Sequence, residues 1–472
     1  MPWGPNAVLG RSDNGIERGL SKRGTMRAGL RNGTAAILAV WLFLPGFARG
    51  AEPSGDGAEP EVWAFHAQTT FTEQFHPAFR SPYVGANSLD PAAEGRETWD
   101  ATLYGGVRPW DGGELWVNGE VDQGFGLSNT LGVSGFPSGE AYKVGKAVPY
   151  LKLPRLFFRQ TIGLGGESEN VDPDLNQLGG AHDKNRIVLT IGKYSVIDVF
   201  DHNAYSDDPR HNLLNWAIID QGTFDYAANA WGYTYGAAAE WYQDWWTLRA
   251  GIFDLSNVPN STRLEEAVLR QFQIVTEAEE RHTLWGESGS VRLLAFLSHG
   301  RMGLFKDAIA LSDATHEPAS TALVRHLHVR AGIGMSADQS LTDDLGAFLR
   351  AGYADPSREP YEFTDYDASV SGGLALHGKS WGRADDTVDL AFEIGGISRE
   401  HADYFDHGGL GILSGDGKLP HRGLEKIVEL QYQYAPFKWL AVSPDYQFVI
   451  DPAFNRDRGP VSILGIRLHA EY

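Results

Sequence analysis

Several side chains in this sequence have types and spacings that could do chemistry. His326 and His328 form an H-x-H pair, which on one strand face would offer two imidazole nitrogens to a zinc-like ion. Ser298 and His299 put a hydroxyl beside a base, the parts of a nucleophilic hydrolase. Glu277 and Glu279 set two carboxylates two residues apart, the residue types a glycosidase uses as acid and nucleophile. Asp207-Asp208 and Asp385-Asp386 offer acidic groups to a divalent cation. Each meets an obstacle. No third ligand stands at useful spacing from the histidine pair. Neighbouring residues on a strand point to opposite faces, so Ser298 and His299 cannot form a dyad. Glycosidases draw their two carboxylates from different strands, and acidic loop pairs are solvated by default. The sequence is therefore expected to encode no enzyme, no cofactor and no metal site.

A larger set of charges recurs in another pattern. Arg159, Lys193, Glu240, Arg249, Glu277, Arg292, Arg330, Arg350 and Glu393 fall in segments of alternating apolar and polar residues and are assigned to the polar phase. A dry core could not hold so many ionisable groups, because desolvation would be prohibitive. A water-filled lumen removes that cost, and there the same groups can bind. Arginine presents a planar fork of donors and carboxylates accept, a combination matched to the hydroxyls of a neutral polyol. Part of the set is expected only to pair across strands.

The elements that must position these groups are strands. In 461–472 (VSILGIRLHAEY), Leu464, Ile466, Leu468, Ala470 and Tyr472 share one face, and Arg467, His469 and Glu471 the other. The chain ends on an aromatic in phase with the apolar face, which makes Tyr472 the expected signal to the barrel-assembly machinery. In 231–253, Trp231, Tyr233, Tyr235, Ala237, Ala239 and Trp241 share a face. A turn at 242–245 would pair Trp241 with Trp246 and set Glu240 diagonal to Arg249. Further hairpins are expected in 284–305, 327–353 and 425–450. Trp99, Trp110, Trp241, Trp245, Trp246, Trp285 and Trp439 gather at strand ends, where amphipathic rings meet a membrane–water boundary. Apolar faces outward and ionisable faces inward describe a transmembrane antiparallel β-barrel.

Composition agrees. The 472 residues include 56 Gly, 14 Trp and no Cys, which excludes disulfides, thiolate metal sites and cysteine nucleophiles. A net charge of −21 has the wrong sign for a nucleic-acid partner. Mean hydropathy is −0.29, as expected when alternation cancels the average. Near the start, Arg27 and Arg31 precede an apolar run from Thr34 to Phe47, and Ala48-Arg49-Gly50 supplies small residues for cleavage. The run is short for a membrane anchor. Residues 1–50 are thus expected to be a targeting region, with Met26 as a candidate start. Residues 51–61 (AEPSGDGAEPE) form a flexible lead-in, and 62–472 a single barrel domain.

The chain resembles the carbohydrate-selective porin family (the OprB type). The resemblance rests on 115–126 (LWVNGEVDQGFG), 150–166 (YLKLPRLFFRQTIGLGG), 189–201 (LTIGKYSVIDVFD), 205–226 (YSDDPRHNLLNWAIIDQGTFDY), 229–253, 271–286 and 451–472. It implies a 16-stranded outer-membrane barrel of a Gram-negative-type bacterium, with extracellular loops folded inward, passing glucose-like sugars by facilitated diffusion. The implied partners are small neutral sugars, outer-membrane lipid and the assembly machinery. Loop 203–215 (NAYSDDPRHNLLN) is the expected inward segment, with Asp208 and Arg210 reaching the sugar. Segments 301–328 and 399–424 match no motif and are expected to be loops. In such a barrel the Asn260-Ser261-Thr262 sequon carries little meaning. Other readings are an outer-membrane barrel that exports polysaccharide or acts as a hydrolase, and a secreted soluble β-protein. If 26–50 is a cleaved signal, N-terminal sequencing of the membrane-extracted protein returns Ala51; cytosolic protein retaining 26–50 would contradict it.

Overall fold

A computed structural model describes residues 60–472 apart from Tyr142 and Val268, so the targeting region 1–50 and most of the lead-in lie outside the described residues. Among the described residues, alternation and turn residues produce sixteen strands: β1 (Trp63–His76), β2 (Glu94–Val107), β3 (Gly113–Gly124), β4 (Lys146–Val171), β5 (Gly180–Tyr194), β6 (Thr234–Gln243), β7 (Trp246–Asp254), β8 (Phe272–Leu284), β9 (Glu287–Met302), β10 (His326–Ser340), β11 (Leu345–Ala354), β12 (Ala368–Gly378), β13 (Arg383–Gly396), β14 (Glu425–Phe437), β15 (Leu440–Ile450) and β16 (Val461–Glu471). Each pairs antiparallel with the next, and β16 pairs with β1 to close the barrel. At the seam, Ala67 and Tyr472 exchange backbone hydrogen bonds of 2.8 Å each way. Closure leaves no edge of unpaired amides to lipid. No helix among the described residues is long and apolar enough to cross a membrane.

Side chains sort by the two-residue period. Leu390, Leu430, Tyr446 and Leu464 stand in register across β13 to β16, all exposed on the outer surface. One residue along, Glu429 and Gln447 face each other inside and are fully buried. Hairpin turns at one end are short: Trp285-Gly286 links β8 to β9 with φ of 56° and 90°. Positive φ at both positions is the I′ geometry that follows strand twist, and the second position suits glycine. Long loops fill the other end, which marks it as extracellular. They carry short helices: α1 (Trp216–Ile219), α2 (Phe305–Thr315) and α3 (Arg399–Asp406). The unmatched segments 301–328 and 399–424 contain α2 and α3, which meet through Phe305, stacked on His401 with ring centroids 4.2 Å apart. Loop side chains such as Leu214, Trp216, Phe224 and Phe454 form an apolar core inside the barrel rather than outside it.

Two expectations are corrected. The β6–β7 register pairs Gln243 with Trp246, so Trp241 opposes Leu248 and Glu240 lies directly opposite Arg249 instead of diagonal to it. Trp231 and Tyr233 precede β6 and belong to the loop. The register differs by two residues, which leaves every face unchanged because the side-chain period is two.

The outer stripe predicts a sharp asymmetry. Leu430→Arg on the lipid-facing phase should destabilise the barrel in bilayers by roughly 2–4 kcal/mol in a denaturant titration. An unchanged midpoint would mean that this face is not in lipid.

Candidate functional site in the lumen

Loop 195–233, between β5 and β6, turns into the barrel, and inward side chains of distant strands receive its backbone. Glu429 of β14 accepts from the amides of Leu214 (2.5 Å) and Asn215. Arg467 of β16 donates to the carbonyls of Pro209 and Asn212 (2.7 Å to the second). Arg350 of β11 donates to the carbonyls of Ile218 (2.9 Å) and Asp201 (3.0 Å) and pairs with the Asp201 carboxylate at 3.4 Å. Burial pushes Asp201 up to about 6 despite Arg350. Arg330 of β10 pairs with Asp225 at 3.0 Å, and Asp225 also accepts from the amides of Tyr361 and Glu362 at 2.7 Å. A polypeptide buried inside a barrel must find partners for its amides and carbonyls, and these side chains supply them.

Beside the loop, two cavities remain. The larger, about 730 Å3, opens towards the periplasmic turn 172–179 and is lined by β4, β5 and the loop, including Arg159, Asn176, His182, Arg186, Asp208 and Glu240. The smaller, about 140 Å3, lies between loops 125–145 and 195–233 and is lined by Glu140, Lys143, Trp216, Tyr226, Trp231, Tyr233 and Phe363. They share Arg155, Ile197, Asp207, Pro209 and Arg210, a neck with cations and a carboxylate in one narrow zone. Each neck charge is held. Arg155 grips Asp198 with two bonds of 2.7 and 2.6 Å. Its guanidinium lies 5.2 Å from the centre of the Tyr233 ring. Arg210 faces Glu140 at 3.3 Å, Asp100 at 3.7 Å and Asp208 at 3.9 Å. Desolvation is outweighed by Arg210 and His211, which hold Asp208 below the ordinary carboxylate range. His202 meets Asp207 at 3.0 Å; although desolvation opposes its charge, Asp207 raises it to about 9, so it stays cationic at neutral pH. A third concavity, about 1240 Å3, lies on the outer face and is lined by outward residues such as Leu248, Leu293 and Val370, so it belongs to the lipid-facing surface.

The sequence-assigned residues divide accordingly. Arg159, Asp208, Arg210 and Glu240 line the larger cavity. Arg249 is clamped by Glu240, Glu277 and Glu279 at 3.1, 2.8 and 2.8 Å, and Arg292 by Glu279 at 3.1 Å and by Asp338. These form an ion-pair chain along β6 to β10 that reaches the larger lumen cavity only at Glu240; Arg249, Glu277 and Arg292 line neither cavity. Arg330 and Arg350 are fully buried under the loop, and Glu393 is fully buried on β13, none of them lining either cavity. Lys193 corrects an expectation. It shares the outward phase of Leu189 and Ile191, pairs in register with exposed Tyr235, and its Nζ donates to the Leu153 carbonyl at 2.7 Å. Arg155 was not among the expected residues. Opposite it the register slips, Asn118 pairing with Arg155 and Glu120 with Lys152, so β4 carries one extra residue there. Pro154, which has no amide to donate, sits in that extra stretch and is the signal that marks it. The remaining constellations stay apart. Ser298 is buried inside and accepts from Gln273 at 2.8 Å, while His299 packs outside against Phe272. Among the described residues, no third metal-binding side chain joins His326 and His328.

A sequence profile described as carbohydrate-selective porin, OprB family, matches residues 86–472. Among solved structures, OprB of Pseudomonas putida in its high-pH form aligns with a TM-score of 0.66 at 14% identity, covering 87% of this chain and 94% of that one. The outer membrane channel DcaP of Acinetobacter baumannii aligns at 0.47 and 11% identity, covering 88% and 98%. The first likeness shows a shared fold. No curated protein matches.

The anchoring geometry yields a prediction. Removing one partner of a buried ion pair costs about 3–5 kcal/mol. Arg350→Met should therefore release loop 195–233, raising single-channel conductance and exposing the loop to protease. Wild-type conductance with a protease-resistant loop would refute the anchor.

Proposed function

The chain belongs to the OprB family of carbohydrate-selective porins, and from that premise we propose the path of a sugar through it. The protein is an outer-membrane β-barrel porin for carbohydrates, and its family and fold are those of channels rather than enzymes. A small neutral sugar of the glucose type enters between loops 125–145 and 195–233, where Trp216, Trp231, Tyr233 and Phe363 present flat apolar rings. It passes the neck of Arg155, Asp207 and Arg210 and leaves through the cavity lined by Arg159, Arg186, Asp208 and Glu240. The single observation behind this path is that the two cavities share their lining at a neck holding both donors and acceptors. Apolar rings with a few placed polar groups are the usual make-up of a small-ligand site. Binding must stay weak enough for release. Each charged hydrogen bond in the neck is already partly spent on protein partners, which lowers its affinity for a hydroxyl. On this reading the outer surface meets outer-membrane lipid, and the assembly machinery reads Tyr472.

The test is sugar block of single-channel current. Losing a hydrogen bond to a charged group costs roughly 1.5–3 kcal/mol, so Arg155→Ala and Arg210→Ala should each weaken sugar block about ten- to a hundredfold. Lys193→Ala, on the outer face, should leave block unchanged. Wild-type block in both neck variants, with normal folding, would move the path elsewhere.

A further inference from the structure

Where the tip of loop 195–233 approaches the closing strand, three side chains converge that neither the anchoring of the loop nor the neck employs. His211 extends from the loop; His469 and Glu471 are two residues apart on the inward phase of β16. His211 Nε2 stands 3.2 Å from Glu471 Oε2, and His469 Nε2 stands 3.5 Å from the same oxygen. The two imidazole rings meet nearly at right angles, with centroids 4.8 Å apart. All three candidate ligand atoms lie within 4.8 Å of one another.

We propose that His211, His469 and Glu471 form a binding site for one divalent transition-metal ion of the zinc class, bridging the inward loop to β16 at the periplasmic mouth of the lumen. Tetrahedral coordination with bonds of about 2.0–2.1 Å places ligand atoms roughly 3.3–3.4 Å apart. Both distances to Glu471 straddle that value, and the remaining pair closes by rotation of the His211 ring, which is exposed. The second nitrogen of His469 is already committed: Nδ1 meets Thr70 Oγ1 of β1 at 3.1 Å. A ring nitrogen fixed in this way orients the other towards a metal. His469 is 3% exposed and its Nε2 makes no hydrogen bond, so this buried nitrogen faces the site with only the 3.5 Å approach of Glu471, itself a proposed ligand, beside it. His211 and Glu471 line the larger cavity, which leaves a fourth coordination position open to it. The nearby cations do not occupy the site. Arg210 is engaged by Glu140 and Asp208, and Arg467 by the carbonyls of Pro209 and Asn212. Protons compete for the imidazoles, so binding tightens from acid to neutral pH.

Cobalt(II) is the probe, because tetrahedral nitrogen–oxygen coordination gives it visible absorption. The untagged, detergent-purified full barrel should bind one cobalt per chain with that spectrum and lose it on addition of zinc. His211→Gln, in an exposed loop position, and Glu471→Gln should each weaken binding at least ~10-fold, the loss that a change even one shell further out produces, while heat-modifiable migration on a gel shows the barrel intact. Absence of the tetrahedral spectrum in the wild type, or cobalt binding that survives both substitutions, would overturn the assignment.

Discussion

The hydrogen bonds between β1 and β16, ending in the reciprocal pair of Ala67 and Tyr472, turn a sixteen-stranded sheet into a surface without an edge. In hydrocarbon an unpaired row of amides costs several kcal/mol per group, so closure comes before everything else. Once closed, the sheet has an outside and an inside, and the two-residue period assigns each side chain to one of them. Leu390, Leu430 and Leu464 go to lipid, and Glu429, Gln447 and Arg467 go to the interior. The inside cannot stay empty or dry. It is filled by water, by paired charges, and by chain that returns from the extracellular loops.

That returning chain explains why so many lumen charges are not free to meet a solute. A loop inside a barrel has the same obligation as any buried backbone: its amides and carbonyls need partners. Carboxylates suit this because one group accepts several amides. Asp225 takes two amides and an arginine, and Asp365 takes the amides of Ile412, Leu413 and Ser414 at 2.9 Å each. Arginines suit the carbonyls, as Arg350 and Arg467 do. The interior charges thus build the plug first, and the neck at Arg155, Asp207 and Arg210 is the part where charged groups face both cavities at once.

The sequence carried the fold clearly and the site partially. Face assignment needs only parity, and parity survives errors of two residues; this is why Glu240 and Arg249 came out on the correct side with the wrong register. Lys193 shares the outward phase of Leu189 and Ile191, although a charge in an alternating strand invites an inward reading even near a strand end. Strict alternation counted from Lys152 puts Arg155 outside, and only the extra residue at Pro154 brings it in. Arg330 and Arg350 read as inward from the alternation, yet their partners lie in a loop more than a hundred residues away, which no local pattern reveals. Loops 303–325 and 397–424 hold helices whose support is also distant in sequence: α2 and α3 are stabilised by contact with each other through Phe305, His401 and Tyr404.

The barrel is not equally long all round. β3 releases β4 after Gln160, and β5 joins β6 only from Arg186, so residues 161–171 pair with β5 alone. A ribbon of two strands is marginal by itself, and this one is steadied where Arg159 donates to the Asn176 carbonyl at 2.8 Å, where the Glu61 amide donates to the Gly179 carbonyl at 3.0 Å and where the Gly179 amide donates to the Glu61 carboxylate at 2.8 Å. Few buried contacts mean low local stability and frequent opening. The consequence is one of timing. A stiff wall of sixteen paired strands sets how wide the channel is, while a loosely moored ribbon at its periplasmic mouth sets how steadily that width is kept. Current through such a channel would carry a flicker belonging to the ribbon, with a rhythm independent of any solute inside.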